Sequence, residues 1–126
     1  MNIPQNLKYT KDHEWISIDG NIATVGITDF AQGELGDIVY VEVDTLDEMV
    51  ESEAVFGTVE AVKTVSDLFA PLSGKINAMN DELTSTPEVV NSDPYGAGWM
   101  VKIEMNNPDE INNLLNAEAY AELIKS

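Results

Sequence analysis

The chain has no cysteine, no arginine, a single histidine and no long apolar run. Each shortage removes a class of function. Without cysteine there is no disulfide, no thiol nucleophile and no thiolate metal site. One imidazole, His13, rules out a histidine-rich metal centre and confines any histidine-based triad to that position. No stretch approaches the ~18 apolar residues that mark a membrane-spanning helix. The opening Met1-Asn2-Ile3-Pro4 has neither a charged segment followed by an apolar one nor an arginine-rich transit pattern. A cytoplasmic bacterial protein is the simplest expectation, and a mature mitochondrial form is also compatible. A glycine-rich phosphate loop ahead of a helix is lacking, as is a His-Glu-x-x-His motif. A stand-alone enzyme is poorly supported, so chemistry would have to come from a cofactor that the protein holds and presents.

Negative charge is abundant. Against six lysines stand 23 acidic residues, giving a net charge of −17. Phosphate backbones would be repelled, which argues against nucleic acid. Such a surface suits basic partner faces, although solubility alone would explain it equally well. At 126 residues and 44% hydrophobic content, residues 1–126 are expected to form one domain with a modest core.

Short strands dominate the pattern. Glu14 to Ile18 and Ile22 to Gly26 read as a hairpin around Asp19-Gly20-Asn21, since Gly and Asn tolerate positive φ. Thr28 suits an N-cap, with one short turn of helix near residue 30 ending by Gly33. Gly36 to Val43 is the clearest strand, with Ile38, Tyr40 and Glu42 on one parity and Val39, Val41 and Val43 on the other. Asp44 to Met49 and Asn80 to Glu88 read as loops. Trp99, Val101, Ile103 and Met105 alternate as a half-buried strand. Residues 108–125 carry the sustained helical pattern. Asn107 is a candidate cap, Pro108 a first helical residue, and Ile111, Leu114 and Leu115 an apolar stripe. Asn116 would cap a second helix with Tyr120, Leu123 and Ile124 inward. The resulting fold is mostly β: two antiparallel sheets in a flattened sandwich-like barrel, with helices at the carboxyl end.

The organising stretch is about 54–69. Val55, Gly57 and Val59 share one parity before Val62-Lys63, and Val65 and Phe69 follow it, predicting two strands and a tight turn. Lys63 would stand at the tip, the sole lysine between Lys11 and Lys75. A solvated charge is one reading of it; a lysine presented to a modifying enzyme is the other.

Glu60-Ala61-Val62-Lys63-Thr64-Val65-Ser66-Asp67, followed by Pro71-Leu72-Ser73-Gly74, resembles the lipoylation site of the glycine cleavage system H-protein family. That pattern is Glu-Ser-Val-Lys-Ala-x-Ser-Asp, then Ser-Pro-x-Ser-Gly. Ala61, Thr64 and Ala70 are small-for-small departures from it. Further blocks run from Tyr9 to Trp15, Val25 to Asp37, Asn91 to Trp99 and Asn107 to Ile124. Packing would equally explain His13 and Trp15.

The resemblance implies a lipoyl-domain-like barrel-sandwich hybrid carrying (R)-lipoate as N6-lipoyllysine at Lys63. The arm would take an aminomethyl group from the pyridoxal-phosphate-dependent glycine decarboxylase (P protein). It would deliver that group to the tetrahydrofolate-dependent aminomethyltransferase (T protein) and be reoxidised by dihydrolipoamide dehydrogenase (L protein). A lipoate-attaching enzyme is the fourth partner, and the chain is expected to be a monomer. Extended, the arm spans on the order of 14 Å. Glu60 would be read by the attaching enzyme. The loaded arm carries a cationic amine, which a carboxylate in a partly desolvated cleft would hold. Glu14, with Trp15 as an apolar wall, and Asp67, on the strand leaving Lys63, are the expected docking residues; ordinary surface carboxylates are the competing reading. A lipoyl relay or another lipoyl carrier is the alternative function. A biotinyl carrier is disfavoured because its site usually reads Met-Lys-Met. An unmodified interaction domain of the same fold stays open on the residues alone.

Overall fold

A computed structural model describes residues 2–125. In chain order the strands are β1 (Lys8–Tyr9), β2 (Glu14–Asp19), β3 (Ile22–Ile27), β4 (Ile38–Val43), β5 (Met49–Val50), β6 (Val55–Ala61), β7 (Val65–Phe69), β8 (Gly74–Met79) and β9 (Val101–Met105). Helices α1 (Asp29–Leu35), α2 (Glu82–Ser85), α3 (Val89–Ser92) and α4 (Ala117–Lys125) and a 3₁₀ helix (Pro108–Asn113) complete it.

The strands form two antiparallel sheets, as expected. One has the order β1-β2-β3-β9-β8-β5, the other β4-β6-β7. One cluster of buried side chains joins them: Ile16, Val25, Val101 and Ile103 from the larger sheet, and Ile38, Val41, Phe56, Val59 and Leu68 from the smaller. Alternation along each strand supplies one apolar face per sheet, and the two faces bury each other. A second cluster of Leu7, Tyr9, Trp15, Ala117 and Tyr120 seats α4 against β1.

Several local expectations are corrected. The lone short turn after Thr28 is a helix of seven residues that runs through Gly33 and ends at Gly36. Gly36 takes φ 84, a left-handed value that favours glycine. Strict parity fails in β4 and β6, because register shifts occur between Ile38 and Tyr40 and between Val55 and Gly57. Ile38 and Val41 therefore both point inward, and Phe56 is buried while Val55 is exposed. On β7, Leu68 and not Val65 faces the core. The stretch 80–88 holds α2 rather than only a loop. Asn107 makes no side-chain cap, and the stripe of Ile111 and Leu114 lies on and just after the 3₁₀ turn. Leu115 instead bridges Tyr9, with both backbone bonds at 2.8 Å. Asn116 caps α4 through Ala119 N–H at 2.7 Å, and Tyr120 is inward, whereas Leu123 is exposed.

Candidate functional site

The hairpin β6–β7 closes through Ala61 N–H donating to the Thr64 carbonyl at 2.8 Å. Val62 N–H donates to the Asp37 carbonyl at 3.1 Å, tying the tip to the segment that leaves α1. Lys63 sits at this tip, exposed. Its stem passes over Gly36: a Cβ built there would lie 3.6 Å from Lys63 Cε. Around it the surface is apolar, with Val62 75% and Val65 61% exposed. Tyr40, Glu60 and Val65 form one cross-strand row, so Glu60 stands exposed between two apolar neighbours near the lysine.

Beside the tip is a cleft of about 140 Å³ between α1, the lead into β2, and β7. Ile27, Ala31, Leu35, Val59 and Leu68 form its apolar walls; Asp12, His13, Glu14, Ser66 and Asp67 supply its polar groups. Leu35 precedes Gly36, so the cleft opens one residue from the lysine stem. Glu14 and Asp67, far apart in the chain, thus meet here. Trp15 does not provide the apolar wall expected of it. Alternation turns it to the opposite face, where its indole N–H donates to the Pro94 carbonyl at 2.8 Å. It lines a separate groove of about 320 Å³ with Tyr95 and Trp99, and the residues described around that groove include none from the β6–β7 hairpin.

Glu14 is 2% exposed. Its carboxyl accepts Phe69 N–H at 2.9 Å and the Thr10 hydroxyl at 3.2 Å. Burial pushes its pKa up to about 8, and these two hydrogen bonds offset only part of that rise. His13 adopts φ 67. Its Nδ1 lies 3.0 Å from the Tyr120 hydroxyl and its ring packs on Phe30. Burial lowers its pKa, against the opposing pull of Asp12 and Glu34. Asn91 ties the end of α1 to the start of β4: its amide accepts Ile38 N–H at 2.9 Å and donates to Gln32 Oε1 and the Gly36 carbonyl, each at 2.9 Å.

A family model described as glycine cleavage H-protein matches residues 7–126. The chain belongs to the glycine cleavage H-protein family. It is 56% identical over 123 residues to the glycine cleavage system H protein of Salinibacter ruber, covering 98% of this chain and 99% of that one. The Bacteroides fragilis H protein is 51% identical over 126 residues, covering all of both chains. A crystal structure of the Mycobacterium marinum H protein superposes with a TM-score of 0.89 at 39% identity, covering 98% of this chain and 100% of that one. As an H protein, the chain is the lipoyl carrier of the glycine cleavage system and a non-catalytic subunit of it. Its partners are those of a multienzyme system.

Sequence reasoning missed Asp12, Ala31 and Leu35 as cleft residues. Gly33 hid the second turn of α1, and with it Leu35. No signal in the sequence marked Asp12.

Proposed function

We propose that Lys63 is the lipoyl attachment site, with (R)-lipoate bound as N6-lipoyllysine, and that the cleft beside it receives the arm. The observation that carries this reading is the exposed lysine at a hairpin tip whose stem crosses Gly36, next to a cleft holding Glu14 and Asp67. The residues fit such an arm. Ile27, Ala31, Leu35 and Leu68 suit its apolar ring; Asp12, Glu14 and Asp67 suit an ammonium. When bound, the lipoyl group supplies the disulfide–dithiol couple that takes up the aminomethyl group of glycine.

The chain's own contribution is to anchor, orient and shield. The short hairpin turn fixes the attachment point, so the arm searches a restricted volume and meets each partner site at high effective concentration. Burial favours the protonated form of Glu14. A cation docking beside it favours the carboxylate and expels that proton. Asp67, at the exposed rim, needs no such exchange. The walls keep bulk water from the docked amine.

Glu60, with the exposed Val62 and Val65, is the surface read by the lipoate-attaching enzyme. The glycine decarboxylase, the aminomethyltransferase and dihydrolipoamide dehydrogenase are the partners served by the loaded and reduced arm. Residues 1–126 act as one monomeric carrier domain in the bacterial cytoplasm.

Intact-mass measurement on protein from a lipoate-competent cell tests the attachment. The parent gains one lipoyl group, and Lys63→Arg gains none while folding normally. A lipoyl group persisting in that variant overturns the assignment. Glu14→Gln and Asp67→Asn should hasten loss of the aminomethyl group from the arm without changing lipoylation. Decay at the parental rate in both removes the docking role.

A further inference from the structure

We propose that Tyr120, on the C-terminal helix, is a positioning residue for the arm cleft, because its single hydroxyl ties together both sides of that cleft. The inference rests on the reading of the cleft as the docking place of the arm.

Tyr120 does not line the cleft, yet it is completely buried behind it. Its hydroxyl lies 2.7 Å from Thr28 Oγ1 and 3.0 Å from His13 Nδ1. Those two residues begin opposite sides. Thr28 is the N-cap of α1, its Oγ1 accepting Ala31 N–H at 3.2 Å, and α1 carries the lining residues Ala31 and Leu35. His13 lines the cleft between Asp12 and Glu14, in a left-handed conformation that a non-glycine residue adopts only when its surroundings hold it. The backbone already joins the two sides once, through Thr28 N–H donating to the His13 carbonyl at 3.0 Å. The tyrosine adds the side-chain link. Thr28 Oγ1, Tyr120 Oη and His13 Nδ1 form a directed chain in which every polar atom is satisfied, and such chains restrict rotamers more than packing alone.

Packing alone would not require a hydroxyl. Tyr120 stacks on Tyr9 with ring centroids 4.7 Å apart and planes 8° from parallel, a contact that phenylalanine could also make. Tyr9 provides the internal control. It is equally buried and belongs to the same cluster, but its hydroxyl donates to the Pro4 carbonyl at 2.7 Å and touches neither side of the cleft.

The experiment compares lipoylated Tyr120→Phe, Tyr9→Phe, Glu14→Gln and parent. Each is loaded with the aminomethyl group, freed of partner enzymes, and followed for spontaneous loss of that group. In parallel, amide spectra of the unlipoylated chains are recorded. The expectation is severalfold faster loss in Tyr120→Phe, with shifted amide signals at His13, Ala31 and Leu35, and parental behaviour in Tyr9→Phe. Faster loss in Glu14→Gln together with parental loss in Tyr120→Phe overturns this inference and leaves the docking reading standing. Parental loss in Glu14→Gln as well as Tyr120→Phe overturns this inference, and the docking reading falls with it only if Asp67→Asn also decays at the parental rate. Equal acceleration in the two tyrosine variants reduces Tyr120 to general packing and also overturns it. Should Tyr120→Phe not fold, native-state hydrogen exchange on the parent decides. The Gln32 and Gly36 amides of α1 must open together with the Tyr120 amide of α4. Exchange of α1 while α4 stays protected refutes the link.

Discussion

A carboxyl group with almost no exposure, beside a solvent-reachable cleft, gives Glu14 a measurable signature. Its folded pKa of about 8 stands above the ordinary value near 4.5, so the folded state favours the protonated form. The associated stability is present in full below pH 4.5 and is lost as pH rises through about 8. At about 1.4 kcal/mol for each pH unit separating the folded and unfolded values, the loss is on the order of 5 kcal/mol. Urea unfolding of parent and Glu14→Gln between about pH 5 and 9 should show the parent declining relative to the variant over that window. Parallel curves would mean that water or a cation already compensates the charge. Lys63 is the contrasting residue. It is exposed at a turn, so Lys63→Arg should change unfolding free energy by less than ~0.5 kcal/mol and affect only modification.

At the scale of elements, the hairpin and α1 are the two pieces that frame the site. Glu60 occupies the cross-strand row of Tyr40 and Val65, exposed to solvent on the outer face of the smaller sheet. Glu60→Gln should therefore slow lipoylation severalfold while leaving stability within ~0.5 kcal/mol, measured by timed mass spectra with the purified attaching enzyme. Equal rates would make it a plain solvated charge. The two glycines of α1 and its cap should respond oppositely. Gly36 holds φ 84, so Gly36→Ala forces a strained backbone costing about 1–2 kcal/mol, read as a fall of roughly 5 °C in melting temperature. Gly33 lies within the helix with open space around an added Cβ, so Gly33→Ala should stabilise by about 0.5–1 kcal/mol. The strand hairpins β2–β3 and β6–β7 were readable in the sequence. Each joins neighbouring segments through a short turn, and the turn residues declare themselves. The length of α1 was not, because Gly33 resembles a stop signal until Gly36 is seen in the left-handed conformation.

For the molecule as a whole, charge sets solution behaviour. A net −17 over 126 residues is self-repelling, and the Lys125–Glu122 pair at 3.7 Å is too exposed to offset it. Raising sodium chloride from about 0.02 to about 0.5 M shortens the screening length severalfold and should raise the melting temperature. Over the same range, association with basic partner faces should slow. A melting temperature indifferent to salt would show that the acidic side chains are too well dispersed to repel.

What the sequence by itself determined is the local chemistry: a lysine at a hairpin tip, Thr28 as a cap, and an alternating pattern that demands two packed sheets. These depend on neighbours a few residues apart, where turn preference and period-two alternation act directly. Only the tertiary structure decided the cleft. Glu14 on β2 accepts the backbone N–H of Phe69, 55 residues away, and its burial follows from α1 and β7 closing over it. Register shifts in β4 and β6 likewise reversed the facing of Val55 and Phe56, because a ladder gains or loses a residue only where a partner strand fixes the count. The raised pKa of Glu14, the misplaced wall of Trp15 and the hydroxyl of Tyr120 reaching His13 and Thr28 are all consequences of that closure. They depend on distances between segments remote in sequence, which no local pattern encodes.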